Sequence, residues 1–351
     1  MKLKTSLTTI ALGAALVAVG LFAFAPSPAA APAPSTLLLN AAGATFPYPI
    51  YSKWFTEYNR LHPDIQINYQ SIGSGGGIRQ LSAGTVDFGA SDAPMTDDQI
   101  HQAKVPVLHF PTVLGAVVPT YNLEGVNQEL NFTGEVLADI FLGKITKWND
   151  GAIAAINKGV NLPDADIVVV HRSDGSGTSY VWTDYLSKVS SEWSSKVGRN
   201  TSVNWPVGIG GKGNEGVSGL VKQQPGAIGY VELIYAIQNK LPYGRVKNAA
   251  GAFEKADLAG VTAAAASESK KIPADFRVSI TNASGKAAYP ICSFTYLLIP
   301  SKIDDPAKKK AIKDFLQWML TTGQNDAEGL SYAKLPKEVV ARELKAIAQV
   351  N

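Results

Sequence analysis

The sequence predicts an α/β protein built as two domains, and three observations carry that. The chain has 351 residues, more than one hydrophobic core comfortably organises. It is 46% hydrophobic and 17% charged, which is ordinary for a globular protein and excludes wholesale disorder. Short β-branched runs alternate with segments of helical period, the pattern of strands spaced by helices in largely parallel sheets.

The elements follow in chain order. Lys2 and Lys4 precede an apolar stretch from Ile10 to Ala25. Pro26 breaks it, and the small residues Ser27-Pro28-Ala29 follow. That order of charge, apolar run and small-residue exit is a secretory signal peptide, expected to be cleaved after residues 1–29. Its loss would take the formal charge from +3 to +1. No cysteine stands near the exit, so a lipoprotein anchor is not expected, and no later segment reaches 18 uninterrupted apolar residues.

Tyr48 to Arg60 is a predicted helix, because Tyr51, Trp54, Phe55 and Tyr58 share one face. Ile65 to Tyr69 alternates as a strand, and Gly75 to Ser82 is a short helix. Val107 to Val118 is apolar and extended, broken by Pro111 and Gly115. Val136 to Leu142 is helical and Gly143 stops it. Ile167 to Val170 is a strand and Ser179 to Leu186 a helix. Ala227 to Leu233 and Phe294 to Ile299 are strands. Asp304 or Asp305 caps a helix that begins at Pro306. The alanine-rich Thr262 to Ser267 and the charged stretch after it look like a surface excursion. Phe110 to Pro119 and Tyr289 to Pro300 are the stretches that could carry the chain between domains.

Composition narrows the chemistry. Basic residues number 32 against 29 acidic, and no basic run exceeds Lys308-Lys309-Lys310, so nucleic acid is not an expected partner. The single cysteine, Cys292, excludes an internal disulfide, a cysteine zinc cluster and a CxxC redox motif. The histidines are scattered and form no metal pair. His109 in its apolar stretch reads as a core or hinge residue.

Three hydroxyl- and glycine-rich loops sit directly before helices. They are Thr45-Phe46-Pro47, Ser71 to Gly77, and Ser173 to Thr178. Helix N-termini carry unpaired N–H groups and partial positive charge, glycines admit close approach, and hydroxyls add donors. A tetrahedral oxyanion suits that arrangement. Any one such loop is ordinarily a plain helix cap. A fourth element, Phe88 to Pro94, ends a strand in Asp92. Arg172 closes the strand before the third loop, where it could pair with an oxyanion or with Asp174, or be oriented by Asp174.

Other motifs compete. Gly208 to Gly213 satisfies G-x-G-x-x-G, with Glu232 about 20 residues on. Pro206 interrupts the strand that should precede it, so a dinucleotide site is disfavoured. Ser176, His171 and Asp174 contain the residue types of a hydrolase triad, but lie within one six-residue stretch, where convergence is not expected.

Nine segments in order carry a family resemblance: AGATFPYPIYSKW from Ala42, YQSIGSGGGIRQL from Tyr69, VDFGASDAPM from Val86, FPTVLGAVV from Phe110, FLGKITKWND from Phe141, RSDGSGTSYVWTDYL from Arg172, GGKGN from Gly210, PGAIGYVE from Pro225 and LSYAKLP from Leu330. With these the chain resembles the periplasmic phosphate-binding proteins of the high-affinity phosphate ABC transporter. The resemblance implies a two-lobed α/β periplasmic binding protein fold of type II, with two hinge crossovers and a ligand cleft between the lobes. Lobe 1 would comprise residues 36–112 and 290–351, lobe 2 residues 113–289. It implies phosphate ligands at Ala44, Thr45, Phe46 (through its backbone N–H), Ser74, Asp92, Arg172, Ser176, Gly177 and Thr178, with Asp174 in support. It makes Gly210–Gly213 a structural turn. The implied protein is a monomeric periplasmic receptor, not an enzyme, without cofactor or metal. It would hand inorganic phosphate to an inner-membrane permease driven by a cytoplasmic ATPase. A secreted phosphoester hydrolase using Ser176, and a receptor for another oxyanion such as sulfate, are the alternatives. Cys292 and the Gly251–Val278 segment depart from the family pattern.

Overall fold

The computed structural model describes residues 36–351, so the signal-peptide reading of residues 1–29 lies outside the described residues. Eleven strands occur among them: β1 Leu37–Gly43, β2 Ile65–Ser71, β3 Phe88–Ser91, β4 Val107–Tyr121, β5 Asn131–Phe132, β6 Val168–Arg172, β7 Ile209–Gly211, β8 Ala227–Glu232, β9 Arg245–Lys247, β10 Phe253–Glu254 and β11 Cys292–Pro300. Eight of them form one sheet in the order β2-β1-β3-β11-β4-β8-β6-β7. The other three form a small sheet, β10-β9-β5.

The expectation of largely parallel sheets holds only at the two flanks. β1 is parallel to β2 and β3, and β6 is parallel to β7 and β8. The middle is antiparallel throughout: β11 against β3 and β4, and β4 against β8. The reason is that the chain crosses between halves of the sheet. β4 pairs with β11 over Val107–Ala116, then with β8 over Val117–Tyr121.

Pro111 and Gly115 do not break this strand. The register with β11 shifts between Thr295 and Tyr296, opposite Val113 and Pro111, so Thr112 is the extra residue of a bulge. A bulge tolerates a proline that cannot donate to the ladder. Side chains satisfy Thr112 instead: its carbonyl accepts from Gln324 Nε2 at 2.8 Å, and its hydroxyl meets Tyr51 Oη at 2.9 Å.

Helices form where the spacing predicted them. The helix Tyr48–Leu61 buries Ile50, Tyr51, Trp54, Phe55 and Tyr58. Burying each such side chain stabilises by roughly 1.5–3 kcal/mol. Trp54 also donates its indole N–H to the Gly323 carbonyl at 2.7 Å, so the stripe ties the first helix to the C-terminal segment. Asp305 caps the helix Pro306–Thr321, accepting from Ala307 N and Lys308 N. The alanine-rich segment is not a surface excursion. It is a helix, Leu258–Glu268, whose Val261, Ala264 and Ala265 are buried and which Asp257 caps. His109 is buried in β4, where its Nε2 accepts from Met95 N at 3.0 Å, and burial lowers its pKa to about 4. Cys292 is a buried free thiol. Among the described residues no helix is long and apolar enough to cross a membrane.

Candidate functional site

Each predicted loop leaves the C-terminal end of a parallel strand. That is where open α/β sheets place ligand clefts. β1 ends at Gly43 and delivers Ala44, Thr45 and Phe46. β2 ends at Ser71 and leads into the helix Ser74–Ala83. β3 ends at Ser91, immediately before Asp92. From the other flank, β6 ends at Arg172, and Ser176 caps the helix Gly177–Val189. β7 ends at Gly211, just before the helix Gly213–Gln223.

The structure brings the two flanks together. Gly75 N donates across to the Gly175 carbonyl at 2.9 Å. A side chain at Gly177 would put its Cβ 2.4 Å from both Asp92 Oδ2 and Ser74 Oγ, and one at Gly73 would meet Asp174 Oδ2 at 2.3 Å. Gly73 also holds a φ of +85°. Glycine is therefore required at both positions for the cleft to close, by space at Gly177 and by both space and conformation at Gly73. Thr45, Ser74, Asp92, Arg172, Ser176 and Thr178 are all buried.

The hydroxyls share one polarity. Thr45 and Thr178 accept from Asn214 Nδ2 at 2.8 and 3.1 Å. Ser74 accepts from Asp92 N at 3.2 Å, and Ser176 from Ser179 N at 2.9 Å. Each oxygen thus has a lone pair occupied by an N–H and a proton to offer. The Phe46 backbone N–H also has no acceptor among the described residues. Its ring is buried, and its carbonyl accepts from Tyr332 Oη at 2.6 Å. Ala44 is pinned behind this loop, its carbonyl accepting from Tyr69 Oη at 2.7 Å.

Two charged side chains stand among these donors. Arg172 pairs bidentately with Asp174, Nε to Oδ1 at 2.8 Å and Nη2 to Oδ2 at 2.6 Å. Gly213 N adds a bond to Asp174 at 3.1 Å. Burial works against ionising Asp174, but the Arg172 guanidinium and these bonds hold its carboxyl below the usual range. Asp174 thus orients Arg172, and Arg172 keeps a buried Nη1 with no partner among the described residues. Asp92 is held by Thr295, which donates to Oδ1 at 2.8 Å, while its Oδ2 is buried and without a partner among the described residues. Burial pushes the Asp92 carboxyl up to about 7, against the Thr295 bond and the nearby charge of Arg172. A buried polar atom left unpaired costs about 1–3 kcal/mol, more when charged. The arrangement therefore suits a small oxyanion that accepts from many donors and offers one proton to Asp92.

The rival readings lose their geometry. His171 stacks on Trp205 and turns Nδ1 to the Arg172 carbonyl at 3.0 Å, while Ser176 Oγ caps its helix, and the two form no hydrogen bond among the described residues. Gly208–Gly213 contains β7 and opens a helix, yet Gly208 and Gly211 pack on neighbouring backbone. A Cβ on Gly211 would lie 2.7 Å from Gly216 C, and one on Gly208 2.5 Å from the Val169 carbonyl. Glu232 is buried as the cap of the helix Leu233–Asn239, accepting from Ile234 N at 2.8 Å.

Sequence reasoning missed Asn214, Thr295, Tyr235 and Tyr332. Tyr235 Oη donates to the Thr45 carbonyl at 2.6 Å. These residues act on the first loop or on Asp92 from 169 to 286 positions away. The available signal was Asn214 at a helix start after a glycine run.

Comparison with known proteins gives a consistent result. A family model described as a PBP superfamily domain matches residues 28–322. The chain is 48% identical over 303 residues to the phosphate-binding protein PstS of Xylella fastidiosa, covering 86% of this chain and 82% of that one. It is 47% identical over 305 residues to PstS of Pasteurella multocida, covering 87% and 88%. Among solved structures, a high-affinity periplasmic phosphate-binding protein (PfluDING) bound with phosphate superposes with a TM-score of 0.68 at 20% identity. That match covers 88% of this chain and 93% of the other.

Proposed function

From its membership of the PstS phosphate-binding proteins within the PBP superfamily, to which this chain belongs, we propose that it binds inorganic phosphate in the cleft and delivers it to an ABC-transporter permease. The observation that carries this reading is the pairing of one buried unpartnered acceptor, Asp92 Oδ2, with one buried unpartnered donor, Arg172 Nη1, among hydroxyls that all have a proton to give. Phosphate near neutral pH keeps at least one proton for Asp92. Sulfate keeps none.

The ligands are Thr45, Phe46 N–H, Ser74, Asp92, Arg172, Ser176, Gly177 and Thr178, with Ala44 lining the first loop and Asp174 orienting Arg172. Residues 36–112 with 290–351 form one lobe and residues 113–289 the other, hinged at the two crossings near residues 112 and 290, within β4 and just before β11. The protein works in the periplasm as a monomer that carries out no chemistry on its ligand, and its partners are the permease subunits with their cytoplasmic ATPase. Closure follows because phosphate touches both lobes only when they meet. Small-angle scattering tests this: added phosphate should reduce the radius of gyration. An unchanged radius, with binding measured separately, would contradict the hinge.

A further inference from the structure

We infer that Asn214 is a positioning residue that fixes the hydrogen-bond polarity of the cleft and latches its two sides together, an inference that rests on the phosphate reading above. Asn214 is fully buried at the second residue of the helix Gly213–Gln223, so a rigid element holds it. Its amide can sit only one way round. The backbone N–H of Glu232 donates to Oδ1 at 2.9 Å, and an N–H cannot accept, so Nδ2 must face the opposite direction.

Both Nδ2 hydrogens then meet hydroxyls from opposite flanks of the sheet. One goes to Thr45 Oγ1, after β1, at 2.8 Å, and the other to Thr178 Oγ1, after β6, at 3.1 Å. The Asn214 backbone N–H adds a second bond to Thr45 Oγ1 at 3.3 Å. A hydroxyl has two lone pairs and one proton. With both lone pairs of Thr45 engaged, its proton has to be donated outward, and no acceptor for it or for the Thr178 proton occurs among the described residues. A hydroxyl free to rotate could instead turn a lone pair on an incoming anion. For Thr45, Asn214 removes that option as the cleft closes, so the hydroxyl meets the bound anion as a donor without further reorganisation. The bonds to Thr45 cross the cleft and the bond to Thr178 stays within one flank, so the full set exists only when the cleft is closed. Asn214 thus joins the hydroxyl polarity to closure without touching the ligand.

The test uses the full mature chain and titration calorimetry with inorganic phosphate and with sulfate at pH 8. Asn214→Asp keeps the side-chain size and the acceptor for Glu232 N–H, but replaces both donors with an acceptor. It should weaken phosphate binding at least ~100-fold, whereas Asn214→Ala should weaken it roughly 10–100-fold, the scale of two neutral hydrogen bonds. Asn214→Ala should leave the phosphate-to-sulfate ratio within about threefold, because both anions accept from hydroxyls. In a Thr45→Val, Thr178→Val background, Asn214→Ala should cost less than about threefold, since the groups it acts through are gone. Circular dichroism establishes folding, and a folded Asn214→Asp variant decides the matter even if the alanine variant does not fold. Wild-type phosphate affinity in that aspartate variant, or an equal alanine loss with and without the threonine hydroxyls, would overturn the inference. Wild-type protein that binds no phosphate would bring down the phosphate reading itself.

Discussion

Replacing Asp92 by Asn should collapse discrimination between phosphate and sulfate while leaving the fold intact. The structure fixes what the new amide would do. Thr295 Oγ1 donates to Oδ1 at 2.8 Å, and with that bond kept the amide carbonyl takes that place and the NH2 falls where Oδ2 stood. Wild-type Oδ2 is a buried acceptor without a partner among the described residues. In the proposed site, once ionised above about pH 7, it accepts a phosphate O–H and opposes a sulfate oxygen, so the selectivity comes from a repulsive contact rather than from extra attraction. Leaving this buried acceptor unpaired against sulfate costs about 1–3 kcal/mol, and more when it is charged. The phosphate-to-sulfate affinity ratio should therefore fall by roughly 10- to 150-fold. Most of the change should appear as stronger sulfate binding, because the NH2 can still donate to a phosphate oxygen. Competitive calorimetry at pH 8, where Asp92 is ionised, and at fixed ionic strength reads the ratio. A folded Asn variant with an unchanged ratio would make Asp92 a turn residue with no part in selectivity.

Three other outcomes follow from the same geometry. Arg172→Ala should weaken phosphate binding by about 1.5–3 kcal/mol, and Arg172→Lys should recover part of that because the planar fork is lost; calorimetry at wild-type affinity would remove Arg172 from the site. Gly177→Ala should hold the cleft apart, since its Cβ would lie 2.4 Å from Asp92 Oδ2 and Ser74 Oγ, so phosphate should no longer compact the protein in scattering; full compaction would show that the seam yields. Asp92 titrates near 7 in the folded protein against 3.8 as the unperturbed value, so between those pH values the folded state holds a proton the unfolded chain has lost. Its contribution to phosphate-free stability should therefore fall as pH rises across that window and level off above it. Urea midpoints of wild type minus Asp92→Asn should show that slope, and a flat difference would place the Asp92 pKa near its ordinary value.

Much of this was legible in the sequence, for reasons that differ by element. The Tyr48 helix announced itself because its aromatic residues fall on one face. Arg172 and Asp174 are two residues apart at a strand end, so their pairing was readable locally. The Ser173–Thr178 loop declared a helix start, and Ser176 does cap it. Strand direction was not legible, since apolar runs read alike whether the neighbour is parallel or antiparallel, and only the crossing of β4 between two partners makes the centre antiparallel. The Leu258–Glu268 helix was hidden by alanine, which shows no contrast between its faces. Asn214 and Thr295 were hidden by distance: an asparagine after a glycine run looks like a turn until the fold sets it between Thr45 and Thr178.

The central claim is that one phosphate ion binds in the closed cleft by giving a proton to Asp92 and accepting from donors on both flanks. Calorimetric titration of the wild-type chain with phosphate, then separately with sulfate, tests it most directly. Saturable binding of one phosphate per chain is expected, with sulfate weaker by at least the ~10-fold that leaving Asp92 unpaired costs. Sulfate binding as tightly as phosphate, or no phosphate binding at all, would contradict it.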